Sequence, residues 1–210
     1  MPGVLYMKKF LKGTLITAAV LAILGGVAYH FIHGLAPRTT VTSYTGVEVE
    51  VEPMSFYRGE GKVFGRVYRP VLEEAGNMPA IVYCQNMAYG ERWCKALSGK
   101  GFLCYSFDFA GDGEKARSED LSAVLKGIRN QRHVDADRIY LLGESNGCMT
   151  APLTFFDHPK LAAGLILVSP GFNPLEISRE ARRFRGDLLV IDGSQAMWNA
   201  ATEIAEYGRR

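Results

Sequence analysis

The chain has 210 residues, 48% of them hydrophobic and 22% charged, with 23 Gly, 9 Pro and 4 Cys. These proportions exclude a disordered tail, a collagen-like repeat and a disulfide-dense mini-protein, and the length fits one domain. With 24 Lys plus Arg against 22 Asp plus Glu, the formal charge of +2 supplies no field for holding nucleic acid.

Residues 13–35 are uncharged and follow Lys8, Lys9 and Lys12. As a helix rising about 1.5 Å per residue, this run extends about 34 Å, enough to span a bilayer. The lysines before it, and only Arg38 soon after it, place the amino terminus in the cytoplasm and the remainder outside. A cleaved signal peptide is the alternative, with Gly26-Val27-Ala28 at its cleavage site and a secreted product. Residues 1–35 are therefore expected to be an anchor or signal, 36–45 a stalk, and 46–210 the folded domain. His30 and His33 fall in the anchor, separated by the stalk from any site in the domain.

The alternating run at 47–52, followed by 54–57 and 63–69 around a Gly59-Glu60-Gly61 turn, predicts antiparallel strands ending in a hairpin. From residue 80 the pattern changes. Apolar strands at 80–84, 103–109, 138–143, 164–169 and 187–192 alternate with helical stretches around 91–100, 121–131 and 146–156 and a last helix before Arg210. Strands apolar on both faces, alternating with helices, predict a mostly parallel, doubly wound α/β sheet whose site lies at the carboxyl ends of its strands.

Gly143-Glu144-Ser145-Asn146-Gly147 fits G-x-S-x-G between a predicted strand and a predicted helix. A serine at the tip of so tight a turn needs small residues two positions to either side, and the helix amino terminus beneath it favours a developing oxyanion. Ser145 is the candidate nucleophile, with a plain turn serine as the alternative.

Together with this elbow, four segments resemble the bacterial α/β-hydrolase superfamily, above all its serine-aminopeptidase-like and esterase-like members. They are FYRGEGKVFGRVYRP (56–70), FDFAGDGEKARSEDLSAVL (107–125), RHVDADRIYLLGESNG (132–147) and HPKLAAGLILVSPGF (158–172). The resemblance covers residues 54–195 and implies an α/β-hydrolase fold. It also implies cleavage of an ester or peptide-like acyl bond in a small-molecule substrate, with no cofactor and no metal. The family's His-Gly pair is replaced here by Gln85-Asn86. The residue after that pair supplies an oxyanion donor, so the resemblance assigns the hole to the backbone N–H groups of Met87 and Asn146.

The same comparison exposes two departures. Where the family carries Gly-x-x-Asp, this chain reads Gly193-Ser194-Gln195-Ala196, which leaves Asp192 as a substitute acid. The family's histidine follows one further strand, and Arg210 is reached first; His133 and His158 both precede strands, at the sheet end opposite Ser145. Removing the base of a serine triad costs on the order of 10⁶ in turnover, and roughly 10³ over water survives from the oxyanion hole. The expectation is a shortened, weakly active serine hydrolase, or alternatively a non-catalytic descendant that serves as a cell-surface binding module.

Other patterns carry less. Gly111-x-Gly113-x-x-Ala116 matches a dinucleotide fingerprint but belongs to a middle strand with no immediate helix start, and reads as a turn near the active face. Cys84, Cys94, Cys104 and Cys148 lack zinc-ligand spacing and read as buried free thiols. Arg179, Arg182, Arg183 and Arg185 read as a solvated helix face, and Trp93 and Trp198 as packing residues.

Overall fold

The computed structural model describes residues 38–72, 76–173, 186–191 and 197–207. The expected span at 13–35 and the arginine cluster at 179–185 lie outside them. Among the described residues no helix is long and apolar enough to cross a membrane.

The elements follow in the order β1 (Thr39–Thr42), β2 (Glu48–Arg58), β3 (Gly61–Pro70), β4 (Met78–Tyr83), α1 (Met87–Ser98), β5 (Leu103–Phe107), α2 (Glu114–Ile128), β6 (Val134–Glu144), α3 (Gly147–Asp157), β7 (Gly164–Val168), β8 (Asp187–Ile191) and α4 (Met197–Tyr207). They form one eight-stranded sheet in the order β1-β2-β3-β5-β4-β6-β7-β8. The first three strands and the β3–β5 pair are antiparallel, while β5, β4, β6, β7 and β8 run parallel. This is the expected α/β-hydrolase-like sheet with its opening hairpin.

The hairpin closes through Gly59 and Glu60, with Arg58 paired to Gly61 and Gly59 in the left-handed region at φ 57°. Pro53 sits inside β2 at little cost because β1 pairs only with residues 48–51, so its missing N–H faces the open side of the sheet. The expected stalk is corrected in part: Thr39, Thr40, Val41 and Thr42 form β1, since a β-branched run beside an unpaired strand edge is taken up as one more strand.

The sheet separates two apolar layers. On one face Leu121, Val124 and Leu125 of α2 and Cys148, Ala151 and Phe155 of α3 pack on Val82, Leu103 and Leu141. On the other, Trp93 and Leu97 of α1 and Ala201, Ile204 and Ala205 of α4 pack on Ile81, Tyr83, Leu142 and Ile166. The strand order reverses between β4 and β6, because β4 leads through α1 to β5 on one side while β6 pairs on the other. Parallel α/β sheets open a crevice at the carboxyl ends of such strands.

Helices α1 and α2 begin earlier than the periodicity predicts, at Met87 and Glu114. The first turn of α2 is polar, and that of α1, Met87-Ala88-Tyr89-Gly90, has no alternation of apolar and polar residues, so periodicity marks neither start; the starts are set by caps. Asn86 Oδ1 accepts the Tyr89 N–H, and Gly113 at φ 83° turns the chain directly into α2. The absence of an immediate helix after Gly113, expected from the sequence, is thus corrected.

Candidate active site

Strand β6 ends at Glu144 and helix α3 begins at Gly147, leaving Ser145 and Asn146 to reverse the chain. Ser145 adopts φ 53°, a left-handed conformation that a residue bearing a Cβ rarely takes. The turn is held from both sides by close approach. A Cβ on Gly143 would lie 2.6 Å from the Gly147 carbonyl oxygen, and one on Gly147 would lie 2.6 Å from the Cys84 carbonyl oxygen. Behind the turn, Cys148 N–H donates to the Ser145 carbonyl at 3.0 Å. Gly147 and Cys148 are buried, while Ser145 and Asn146 are exposed.

Ser145 opens onto a cleft of about 590 Å³ at the switch point, lined by Gln85 and Asn86 after β4, Tyr89 and Arg92 of α1, and Phe109 and Arg117 on the side of α2. Glu144, one residue before the serine, is the centre of a hydrogen-bonded group in this wall. Arg92 Nη2 donates to its two oxygens at 2.9 and 3.1 Å, Trp93 Nε1 donates to Oε2 at 3.0 Å, and the Tyr83 hydroxyl donates to Oε2 at 2.8 Å. Burial, reinforced by the Glu144 carboxylate, holds the Tyr83 phenol protonated far above its usual range. The network ties β4 and α1 to the elbow. Trp93 is therefore more than the packing residue the sequence indicates.

The candidate oxyanion donors differ in state. Asn146 stands at the start of α3 with no side-chain cap bond, at the positive end of the helix. The Met87 N–H donates to Asp108 Oδ1 at 2.9 Å. Asp108 follows β5, so its carboxylate reaches the loop after the adjacent strand β4. As it stands, the Met87 N–H is capped by an acid.

The histidines of the domain lie where the topology requires. His133, at φ 69°, precedes the 11-residue strand β6, which puts roughly 35 Å of strand between it and the elbow. His158 caps the far end of α3, about 17 Å of helix away. Neither lines the Ser145 cleft. Asp192 lies outside the described residues. Among those described, no group of His, Cys, Asp or Glu is arranged to hold a metal ion.

The glycine loop after β5 does not offer a phosphate cradle. The N–H groups of Ala110 and Gly111 donate to Asp120 Oδ2 at 2.8 and 2.9 Å. The other oxygen of this fully buried carboxylate lies 2.9 Å from Arg58 Nη1, at ion-pair distance though outside hydrogen-bond geometry. Donors a pyrophosphate needs are thus already used. All four cysteines are buried free thiols, as the sequence indicates; burial raises Cys84 and Cys94 well above the ordinary range and pushes Cys148 up to about 11.

Glu144, Tyr83, Arg92, Asp108, Arg117 and Asp120 are not among the residues that the sequence singles out. The signals were faint: a carboxylate at each of two strand ends, and an acid mid-helix on an apolar face.

Among solved structures, the carboxylesterase EstE1 from a metagenomic library aligns with 22% identity and a TM-score of 0.51, over 64% of this chain and 49% of that one. A hypothetical protein from Pseudomonas aeruginosa aligns with 18% identity and a TM-score of 0.52, over 61% of this chain and 44% of its own length. This chain thus spans less than half the length of either. A cold-adapted esterase from an Arctic intertidal metagenomic library is covered over 97% of its length, and 82% of this chain, at 14% identity and a TM-score of 0.56. At these identities the likeness establishes the fold. No curated protein matches. The family model described as serine aminopeptidase, S33, matches residues 83–191, just over half of the 210 residues and the stretch that carries β4 through β8, the cleft and the elbow. The chain is therefore a member of the S33 serine aminopeptidase family within the α/β-hydrolases.

Proposed function

We propose that the domain hydrolyses an ester or peptide-like acyl bond through Ser145. The observation that carries this reading is a left-handed, exposed serine held between Gly143 and Gly147 at the head of a cleft and of helix α3. Ser145 Oγ bonds to the acyl carbon and its proton passes to solvent; the bond to the alcohol or amine breaks, and the leaving group takes up a proton. Water then cleaves the acyl-serine and returns the hydroxyl. The Asn146 N–H stabilises the oxyanion, joined by Met87 where the reacting oxygen displaces Asp108. Among the described residues no imidazole lines the cleft, and turnover supported by these residues alone is expected on the order of 10³ over water rather than the full rate of a triad.

A cleft without an imidazole among the described residues and the occupied Met87 donor also favour a second reading, a folded hydrolase relative that binds a ligand without turning it over. Labelling with a fluorophosphonate probe separates the two. Wild-type protein that labels, and Ser145→Ala protein that does not, supports an activated nucleophile; a well-folded wild type that stays unlabelled leaves the binding module.

We further propose that residues 13–35 anchor the chain in a membrane with the domain outside, supported by the uncharged run behind Lys8, Lys9 and Lys12. Retention of the full chain in the membrane pellet after alkaline carbonate extraction is the expected result, and release of the chain refutes it.

A further inference from the structure

The walls of the Ser145 cleft carry two guanidinium groups and a single carboxylate. Arg92 is claimed by Glu144, which receives both of its bonds at 2.9 and 3.1 Å. Arg117 is not claimed: among the described residues no carboxylate lies within ion-pair distance of it. It is nevertheless held in place. Its guanidinium carbon sits 5.8 Å from the centre of the Phe109 ring, and that ring meets the fully buried Phe107 edge-on at 4.9 Å and 75°. A half-buried cation set over a rigid aromatic pair loses little freedom when it binds an anion, and its planar fork matches a carboxylate. The same charge repels a cationic amine.

The geometry points to a small anionic ester as the substrate of this cleft, an acyl group carrying a second, ionised carboxylate that Arg117 holds. This inference rests on Ser145 as the reacting residue. It runs against the free amino terminus that the name of the family implies, because an ammonium group would face an uncompensated guanidinium.

Two p-nitrophenyl esters with five-carbon acyl groups provide the test, the hemiglutarate with a terminal carboxylate and the neutral valerate. Wild-type protein is expected to prefer the hemiglutarate by roughly tenfold or more in kcat/KM, the scale of one charge-assisted hydrogen bond. The preference should reside in KM and shrink as salt is raised. In Arg117→Gln the ratio falls towards one, and in Arg117→Lys it recovers in part. Equal rates for the two esters in the wild type, or a preference that survives Arg117→Gln, overturn the inference. Should neither ester be turned over, the hydrolytic reading fails by itself, and calorimetric titration with glutarate decides the binding site. Saturable binding lost in Arg117→Gln upholds it, and no binding by the wild type refutes it.

Discussion

At Ser145 the backbone carries a cost that the side chain alone does not explain. A left-handed non-glycine residue costs of order 1–3 kcal/mol and persists only where its surroundings over-determine it. Here the surroundings are Gly143 and Gly147, each with room for a hydrogen and nothing larger. Two substitutions test this with opposite signs. Gly147→Ala drives a methyl group against the Cys84 carbonyl oxygen and is expected to destabilise the fold by about 3 kcal/mol, the upper part of the overpacking range. Ser145→Gly relieves the positive φ and is expected to stabilise it by about 1 kcal/mol while abolishing probe labelling. Urea unfolding midpoints read both, and a Ser145→Gly protein no more stable than wild type would show that the turn stores no strain. The glycine spacing that makes this possible is legible in the sequence. The Glu144 network is not, since the donors from Tyr83, Arg92 and Trp93 lie more than fifty residues away.

Among the elements, helix α2 and the loop before it depend on one buried acid. Asp120 holds the N–H groups of Ala110 and Gly111 and faces Arg58 from the end of β2, so three segments meet on one carboxylate. Arg58 is partly exposed and keeps Glu119 at 3.9 Å and the Ala116 carbonyl, so the loss falls on the Ala110 and Gly111 N–H groups, and Asp120→Ala is expected to cost about 1–3 kcal/mol. Hydrogen exchange should locate the damage at the 110–113 loop and the first turn of α2; faster exchange spread evenly over the sheet would count against this local role. Periodicity found the strands well and the starts of α1 and α2 poorly. The parallel strands are continuous apolar runs and the antiparallel ones alternate, whereas the first turns of α1 and α2 carry no amphipathic repeat and are fixed by a cap, Asn86 or Gly113. The stretch 39–42 was misread for a related reason: four residues with strand propensity become a strand only when β2 offers them an edge.

Across the whole molecule, burial sets the response to alkali. Cys84, Cys94 and Cys148, together with Tyr68, Tyr83, Tyr105 and Tyr140, all ionise above their ordinary ranges, chiefly because burial disfavours the charged form. The unfolded chain therefore gives up these protons at lower pH than the folded one. Stability from these groups is complete below the unfolded pKa values and declines as pH rises past them, first for the thiols near pH 9 and then for the phenols near 10. Each group that ionises only in the unfolded chain steepens the decline by about 1.4 kcal/mol per pH unit. Urea midpoints measured from pH 7 to pH 10.5 should be level at first and then fall, and a level profile throughout would refute the assignment.

The sequence by itself determined the layered α/β sheet, the opening hairpin and the serine elbow, because each is written in short-range pattern: apolar runs of strand length, a two-residue turn, and glycines two places either side of Ser145. Only the tertiary structure decided which groups share the cleft. Asp108 on the Met87 N–H joins the ends of β5 and β4, Glu144 beneath Arg92 and Trp93 crosses the switch point between β4 and β6, and Arg117 has no carboxylate partner among the described residues. Their partners come from different strands and helices, so no local spacing encodes them, and the charge left over in the cleft follows from how they pair.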